Sequence, residues 1–332
     1  MLRSVWTEQG IVLQDVEPEQ LKDGWVRLKV GACGICGSDL HGYKDGNIRA
    51  GGMPGHEMAG TIMESTVPGL ADELYAVEPW LWCGECEFCT TGQVQLCRNS
   101  GLIGAFLPGG LGEFVDVPAR HIYISDPSLS AMEASMSEPF GISTRAVHIA
   151  GLKMDTHVLC LGAGSLGLIC GLLARDTAER VAVSYRYESQ AKAARLLGIE
   201  AVPEDEVVEW AKDFGPDAII ETVGGHANTM EQATAACRND GRIVVLGLFS
   251  ENPPLDMRAL IHKELKIMGS AFFGTSEHGP EFRASTKLLP RYKAELPVLQ
   301  THQFPLSQVA DAFATAIDKT ERPIKVTILP GS

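Results

Sequence analysis

The spacing of hydrophobic and polar residues changes character along the chain. Up to about residue 130, short alternating segments separated by glycine and proline predict strands, for example Val26–Val30 and Glu113–Val117. From about residue 138, hydrophobic segments of strand length alternate with helical patterns. The first part is therefore predicted to form an irregular β domain, and the second an α/β domain whose parallel sheet has helices on both faces.

The predicted elements of the second part can be placed individually. Hydrophobic segments predict strands at His157–Leu161, Val181–Ser184, Asp217–Ile220, Arg242–Leu246 and Leu265–Met268, with a last strand at Ile324–Leu329. Helical patterns lie at Gly141–Ala150, Glu188–Leu197, Asn228–Ala236 and Ser307–Asp318. The strand Leu265–Met268 is a candidate sheet edge for pairing with a second copy, so we expect a homodimer or homotetramer.

One segment, Thr156–Ala174, contains no Asp, Glu, Lys or Arg and approaches the length of a membrane span. Glycines interrupt it at positions 162, 164, 167 and 171, and its first half has a strand pattern while its second half has a helical one. We interpret it as a strand, a turn and a helix, and expect no membrane association.

Composition narrows the class of protein. The chain has 332 residues, 45% of them hydrophobic, which suggests about two domains. The formal net charge of −14 argues against binding to nucleic acid, whose phosphates require a basic face. Nine cysteines, six of them in two short stretches, favour metal ligation in a reducing compartment over disulfides. Met1–Gly10 lacks the apolar core of a signal peptide, so a cytoplasmic location is expected.

A glycine-rich loop follows the first predicted strand of the second part. Leu161–Gly167 contains Gly162, Gly164 and Gly167 in a G-x-G-x-x-G pattern between a strand and a helix, which is the dinucleotide-binding context. The glycines permit a tight turn, close approach of a pyrophosphate and close packing of helix on strand. Ser165 and Leu166 open the helix, whose free N–H groups face the phosphates. A packing turn without ligand is the alternative.

The end of the next predicted strand bears on the choice of cofactor. A carboxylate there would bind the adenosine ribose of NAD. This chain has Ser184 and Arg186 instead, and an arginine can pair bidentately with a 2′-phosphate. We therefore expect NADP(H) rather than NAD(H). In the alternative, Arg186 is a solvated side chain and Glu188 reaches the ribose.

Four cysteines, Cys83, Cys86, Cys89 and Cys97, follow a C-x2-C-x2-C-x7-C pattern. Four thiolates so close in sequence can enclose one tetrahedral zinc and leave no open position, which makes the site structural. An iron–sulfur cluster is disfavoured because the fourth cysteine lies too far along the chain. A zinc ribbon for nucleic acid is disfavoured because the residues between the cysteines include Glu85 and Glu87.

A second group of candidate ligands precedes this one. Cys36, Ser38, His41, His56 and Glu57 lie in two short stretches that include thiol, imidazole and carboxylate groups. Three protein ligands with an open fourth position make a catalytic zinc site. The alternatives are a redox pair formed by Cys36 with Cys33, and a core role for His56.

With these motifs, the chain resembles the zinc-dependent medium-chain alcohol and polyol dehydrogenases, and the similarity extends nearly from end to end. The motifs that carry it are Gly34–Asp39 with His41, Gly55–Glu57 with Gly60, the four cysteines, Ser137–Phe140, the glycine loop and Pro323–Ile328. A family member of this kind has a GroES-like catalytic domain, here 1–137 and 276–332, interrupted by a Rossmann domain, here 138–275.

The resemblance also implies roles for single residues. It makes Cys36 and His56 ligands of the catalytic zinc, with Glu57 in direct contact with the zinc or just behind the ligands. Glu138 matches the carboxylate that polyol-type members place at this zinc, and Lys325 matches a basic position near the cofactor pyrophosphate. The chain is then expected to bind two zinc ions.

The implied activity is hydride transfer between NAD(P) and a small alcohol, polyol or sugar, or the corresponding carbonyl compound. Ser38 would accept the alcohol proton and His41 would pass it towards solvent. The alternatives are a biosynthetic zinc-dependent carbonyl reductase acting on a larger substrate and a non-catalytic zinc scaffold. The segment between Cys36 and Glu57 is short for the family, and a glycine-aspartate turn before the four cysteines is missing, which puts the substrate in doubt.

Overall fold

The computed structural model describes residues 1–44, 50–277, 279–318 and 323–331, without the side chains of residues 41–44. The chain divides into two compact units, Met1–Gly141 with Phe273–Ser332, and Ile142–Phe272. The predicted domain bounds of 1–137, 138–275 and 276–332 differ from these by only a few residues.

The elements follow one another in three stretches of chain. The first carries β1 (Leu2–Thr7), β2 (Gly10–Asp15), β3 (Trp25–Gly34), α1 (Gly37–Lys44), β4 (Glu57–Ser65), β5 (Leu74–Val77), β6 (Trp80–Leu81), α2 (Glu87–Thr90), β7 (Gly101–Leu102), β8 (Phe114–Pro118), β9 (Ile122–Ile124), α3 (Ala131–Ser135) and α4 (Ser137–Ala150). The second carries β10 (His157–Leu161), α5 (Ser165–Ala174), β11 (Arg180–Tyr185), α6 (Glu188–Leu196), β12 (Glu200–Pro203), α7 (Val207–Phe214), β13 (Ala218–Glu221), α8 (Thr229–Ala236), β14 (Arg242–Val245), α9 (Met257–His262) and β15 (Lys266–Gly269). The third carries β16 (Thr275–Ser276), β17 (Gly279–Pro280), α10 (Glu281–Leu288), α11 (Leu296–Leu299), β18 (Gln300–Pro305), α12 (Val309–Ile317) and β19 (Lys325–Leu329).

The first unit is built on a mostly antiparallel sheet in the order β18-β19-β3-β4-β5-β9, with β8 also paired to β3. The long strand β3 lies at its centre because its alternate side chains Val26, Leu28 and Val30 are buried in the main core cluster. Antiparallel pairing places Gly34, at the end of β3, opposite Glu57, at the start of β4. Strand β19, which is antiparallel to β3, lies on the other side of Gly34 through Thr327.

The second unit contains a parallel sheet in the order β12-β11-β10-β13-β14-β15. The order reverses at β10, which is the doubly wound arrangement expected from the alternating pattern. Leu159 and Leu161 of β10 are fully buried in the core cluster of this unit, as both-face coverage of a parallel strand requires. The carboxyl end of β10 leads directly into the glycine loop at the point of reversal, where such sheets bind ligands.

Most predicted elements are confirmed within one or two residues, including the edge position of the Leu265–Met268 strand, now β15. Thr156–Ala174 forms β10, the loop and α5. Among the residues that the structure describes, we find no helix with the length and hydrophobicity that crossing a bilayer requires. Strand β12 was not predicted, because Glu200–Pro203 is short and only one of its side chains is buried.

Candidate metal centres and dinucleotide loop

The four cysteines Cys83, Cys86, Cys89 and Cys97, which we call the cysteine lobe, converge on one point. Their sulfur atoms all lie within 4.8 Å of one another. The Sγ separations are 3.5 Å between Cys86 and Cys89, 3.9 Å between Cys83 and Cys89, and 4.0 Å between Cys86 and Cys97. A tetrahedron with zinc–sulfur bonds of about 2.3 Å has sulfur atoms roughly 3.8 Å apart, so the lobe fits a single zinc ion.

Backbone N–H groups donate hydrogen bonds to some of these sulfur atoms and so favour their thiolate form. The N–H of Cys83 donates to Sγ of Cys97 at 3.2 Å, and the N–H of Cys86 donates to Sγ of Cys83 at 3.4 Å. Backbone N–H groups of Arg98 and Cys89 lower the pKa of Cys86 to about 6, whereas burial raises the pKa of Cys89 to about 12. All nine cysteines of the chain are free thiols.

The second group, Cys36, His56, Glu57 and Glu138, is here called the mixed cluster. Ligand atoms of Cys36, His56 and Glu57 lie within 4.8 Å of one another. His56, Glu57 and Glu138 are all buried. Gly34 allows this arrangement, because a Cβ atom there would lie 2.2 Å from Oε2 of Glu57. Gly34, two residues before Cys36, therefore leaves space for the Glu57 carboxylate, which the pairing of β3 with β4 places opposite it.

Lys325 lies against this cluster. Its Nζ is 2.6 and 2.7 Å from the two carboxylate oxygens of Glu57 and 3.3 Å from the carbonyl oxygen of Ile35. Lys325 and Glu57 are 4% and 2% exposed, so the ion pair is desolvated. This placement differs from the pyrophosphate contact predicted for Lys325, because the three acceptors already take up the hydrogens of its ammonium group.

Asp39 also belongs to this site, although the sequence analysis assigned it no role. Its Oδ2 accepts a hydrogen bond from the N–H of Cys36 at 3.1 Å, and its Oδ1 lies 3.8 Å from Nδ1 of His56. At this distance the carboxylate makes no hydrogen bond to the ring, but its negative charge favours the protonated or metal-bound form of His56. The sequence shows a carboxylate three residues after Cys36, but its contact with His56 depends on the fold and could not be predicted from that spacing.

The electrostatics of the mixed cluster favour a bound cation. Burial alone would lower the pKa of His56, but the negative charges of Cys36, Asp39 and Glu138 raise it well above its usual value. Burial, together with nearby Glu57 and Asp39, raises the pKa of Glu138 to about 8, although His56 and Lys325 act in the opposite direction. The acidic groups outnumber the cationic ones in a desolvated place, so the donor set fits a divalent metal such as zinc.

The other cysteine of the C-x-x-C pattern, Cys33, is fully buried. Burial and the nearby carboxylates of Asp39 and Glu57 raise its pKa well above the usual value for a thiol. A redox pair with Cys36 requires a reactive thiolate, so this environment disfavours that alternative.

The two predicted proton carriers lie in α1. Ser38 is in the first turn of this helix and is exposed. The backbone of His41 is helical, but its side chain lies outside the described part of the structure. The helix therefore carries Ser38 directly after the Cys36 end of the mixed cluster, and the relay itself stays a prediction.

The glycine loop has the geometry expected of a phosphate cradle. Gly162 has a φ of +95°, and a Cβ at Gly167 would lie 1.7 Å from the carbonyl oxygen of Gly162. At Gly164 a Cβ would meet nothing within 4 Å, so the backbone is open to a ligand on that side. Helix α5 begins at Ser165, followed by Leu166, and its N-cap Gly164 offers no side-chain cap. The hydroxyl of Ser165 is buried and has no hydrogen-bond partner among the described residues.

Three residues at and just after the end of β11, Ser184, Arg186 and Glu188, have partners that were not predicted from the sequence. Ser184 is buried, and its hydroxyl accepts a hydrogen bond from the N–H of Gly162 at 2.9 Å. It supports the glycine loop in this structure, in contrast to the predicted contact with a 2′-phosphate. Arg186 is paired with Glu204, and Glu188 is paired with Arg195 at 2.6 Å. Glu188 therefore has its partner within α6, and Glu204 is the carboxylate in contact with Arg186.

Two family models match the chain. The model of the alcohol dehydrogenase GroES-like domain matches residues 22–126, and that of zinc-binding dehydrogenase matches residues 165–289. The first range includes the cysteine lobe with Cys36, His56 and Glu57. The second includes Ser165 and Arg186.

Individual relatives cover almost the whole chain. Sorbitol dehydrogenase of Bacillus subtilis (strain 168) is 30% identical over 326 residues, which span 92% of this chain and 90% of the relative. A solved structure from Sinorhizobium meliloti 1021, described as a zinc-binding dehydrogenase bound to NADP, is 25% identical with a TM-score of 0.88 and covers 99% of each chain. One from E. coli CFT073, described as a short chain alcohol dehydrogenase complexed with NADH, is 26% identical with a TM-score of 0.87 and covers 99% of each chain.

Proposed function

Because the chain belongs to the zinc-dependent medium-chain alcohol and polyol dehydrogenases, we propose that the mixed cluster is its catalytic zinc site and the cysteine lobe its structural one. Membership makes the protein an oxidoreductase that transfers hydride between NAD(P) and a hydroxyl-bearing substrate. The observation that carries the assignment of the catalytic site is the meeting of thiol, imidazole and carboxylate in one buried place.

In this proposal Cys36 and His56 are two of the zinc ligands, and the third is the carboxylate of either Glu57 or Glu138. Glu57 lies closer to them, but both of its oxygens are bound by Lys325. Glu138 lacks such a strong cationic partner in the contacts described above. We therefore assign Glu138 as the third ligand and Glu57 as the carboxylate that Lys325 holds beside the site.

This assignment separates two variants. Glu138→Gln should lower the zinc content of the mixed cluster more than Glu57→Gln, because only the first would remove a ligand. The measurement is zinc per chain after dialysis at a fixed free zinc concentration, with cobalt substitution as a spectroscopic check of the ligand set. A larger loss of zinc in Glu57→Gln would exchange the roles of the two carboxylates. Equal losses would contradict the assignment of Glu138 as the one carboxylate ligand.

Zinc at such a site supplies a Lewis acid that polarises the substrate oxygen, and the nicotinamide supplies or accepts the hydride. The chain's own residues position the ligands and transfer the proton. Asp39 places a negative charge 3.8 Å from Nδ1 of His56, and Lys325 holds the carboxylate of Glu57. The hydroxyl of Ser38 receives the proton of the alcohol, and its exposed position lets His41 or water carry the proton away.

We propose NADP(H) as the preferred cofactor, because the end of β11 carries Arg186 where an NAD enzyme would carry a carboxylate. The similar structures bind NADP in one case and NADH in another. The preference of this chain therefore depends on its own residues around Arg186.

The substrate class proposed is a polyol or a related sugar derivative with a secondary hydroxyl, as in the sorbitol dehydrogenase relative. The test is a screen of alcohols, polyols, sugars and sugar acids that follows NADPH and NADH absorbance, with Cys36→Ser as the inactive control. Turnover of polyols above simple alcohols is the expected result. Faster turnover of large apolar aldehydes would favour a biosynthetic reductase instead.

A homodimer or homotetramer is also proposed. Edge strand β15 supports it, as do the exposed apolar side chains Leu248, Met257 and Ile261 in the segment before it. Light scattering of the purified protein would decide between a monomer and these assemblies.

A further inference from the structure

A carboxylate from the neighbouring strand connection binds Arg186. Its Nε lies 2.7 and 2.9 Å from the two oxygens of Glu204, and these hydrogen bonds raise the pKa of Arg186. The two side chains are 57% and 43% exposed, so both the ion pair and a ligand from solvent can reach the guanidinium. The pair stands at the carboxyl end of β11, where a doubly wound sheet places the adenosine ribose of a dinucleotide.

The sheet brings the backbones of the two residues side by side. Tyr185 of β11 is in register with Pro203 of β12, so Arg186 and Glu204 leave adjacent parallel strands side by side. The N–H of Glu204 donates to the carbonyl oxygen of Tyr185 at 2.9 Å, and the side chain of Gln232 donates to the carbonyl oxygen of Glu204. On the other strand, the N–H of Arg186 donates to Oε1 of Gln190 at 3.1 Å.

We propose that Glu204 is a specificity-determining residue that weakens binding of the 2′-phosphate of NADP by occupying Arg186. The inference rests on the proposed function, in which Arg186 receives that phosphate. A guanidinium binds a carboxylate and a phosphate with the same donors, so the two compete for the Nε side of the fork. The carboxylate also repels the phosphate, whereas NAD binding involves neither effect because NAD lacks the 2′-phosphate.

The consequence is a narrow margin between the two cofactors. Arg186 favours the binding of NADP over NAD, and Glu204 reduces that difference in affinity. Glu188, the other acidic side chain near this strand end, pairs with Arg195 at 2.6 Å and so has its charge balanced within α6. Glu204 is therefore the carboxylate whose removal changes the charge that a 2′-phosphate meets.

The test compares Glu204→Gln with the wild type in the binding of NADPH and NADH, measured by quenching of protein fluorescence. Adenosine 2′,5′-bisphosphate and adenosine 5′-monophosphate serve as probes of the phosphate alone. We expect the dissociation constant of NADPH to fall by about fivefold to tenfold and that of NADH to stay within about twofold, as for removal of one nearby like charge. Raising the salt concentration should shrink the difference.

Two further variants make the result specific. Glu200→Gln is the matched control, because Glu200 begins β12, the strand that Glu204 follows, is 42% exposed and pairs with Arg180 at 3.1 Å; it should leave both constants unchanged. In an Arg186→Gln background, Glu204→Gln should lose most of its effect on NADPH.

The proposal is overturned if Glu204→Gln leaves the NADPH to NADH ratio unchanged or lowers it, or if its effect persists without Arg186. A wild-type preference for NADH would contradict the proposed cofactor but not this inference, whose measure is the change in the ratio. The two failures are thus distinguishable in the same set of measurements.

Discussion

The cysteine lobe and the mixed cluster gather metal ligands in opposite ways. The lobe takes four identical ligands from one short stretch of chain, Cys83–Cys97, and orients backbone N–H groups towards their sulfur atoms. The mixed cluster takes different ligands from distant positions, which the pairing of β3 with β4 and the start of α4 bring together. Three of the lobe sulfurs belong to partly exposed residues, whereas His56, Glu57 and Glu138 are buried.

This difference teaches what each site is built to do. Four thiolates saturate a tetrahedral ion and leave no position for a substrate. In the mixed cluster, protein charges surround the ligands, with Lys325 on Glu57 and Asp39 behind His56. Such surroundings would tune and orient a metal that exchanges ligands during turnover, as the proposed catalytic zinc must.

The largest expected effect is on activity, from Cys36→Ser. It should lower kcat by about 10³-fold or more, corresponding to roughly 4 kcal/mol of lost transition-state stabilisation, and remove one zinc per chain. The lobe zinc should remain. Zinc analysis and steady-state kinetics check this result.

The control is Cys33→Ser, which replaces a thiol near the end of β3 that is not assigned as a ligand. It should keep both zinc ions, although its burial makes some loss of stability expected. Full activity in Cys36→Ser would remove the catalytic assignment of the mixed cluster.

The next effect is on stability, from Lys325→Met. It leaves the Glu57 carboxylate buried without its cation, which should lower the free energy of unfolding by about 3–5 kcal/mol. Chemical denaturation of the zinc-depleted protein measures this loss without the contribution of the metal.

The double variant Glu57→Gln with Lys325→Met provides the check on this interpretation. It should recover part of the lost stability, because no unpaired buried charge remains. If the double variant is less stable than Lys325→Met alone, the ion pair is not the reason for the loss.

A smaller effect is expected from Cys97→Ser. Loss of the lobe zinc should unfold the lobe locally and lower the global free energy of unfolding by about 1–2 kcal/mol, or a Tm decrease of a few degrees. The kcat of the remaining folded enzyme should change little. A thermal melt together with kinetics measures both, and a loss of activity as large as that of Cys36→Ser would erase the contrast between the two sites.

The smallest effect is expected at the buried cysteines outside both sites. Burial raises the pKa of Cys170 to about 12 and that of Cys237 to about 11, so few thiolates form at pH 8. Iodoacetamide applied after zinc removal should label Cys83 and Cys86, whose pKa values backbone N–H groups lower, and leave Cys160, Cys170 and Cys237 unlabelled in the folded protein. Mass spectrometry locates the labels, and early labelling of Cys170 would show that zinc removal opens the second unit.

The features that depend on neighbouring residues were predictable from the sequence. The spacing of the four cysteines and the glycine loop between β10 and α5 each lie within one short segment, and hydrophobic periodicity located the main strands. The partners of Lys325, Asp39 and Arg186 were not predictable in the same way. Each contact depends on which strands pair and in which register, and β12, which positions Glu204, has too weak a pattern to be recognised.

The sequence by itself determined which chemical groups the protein has: two sets of candidate metal ligands, a glycine-rich turn between a strand and a helix, and a cationic side chain after β11. The tertiary structure decided their partners, placing Lys325 on Glu57, Asp39 behind His56 and Glu204 on Arg186. The physical reason is that ligand identity and local turns are properties of short segments, whereas the charge around a ligand is set by strand register and burial, which only the folded chain defines.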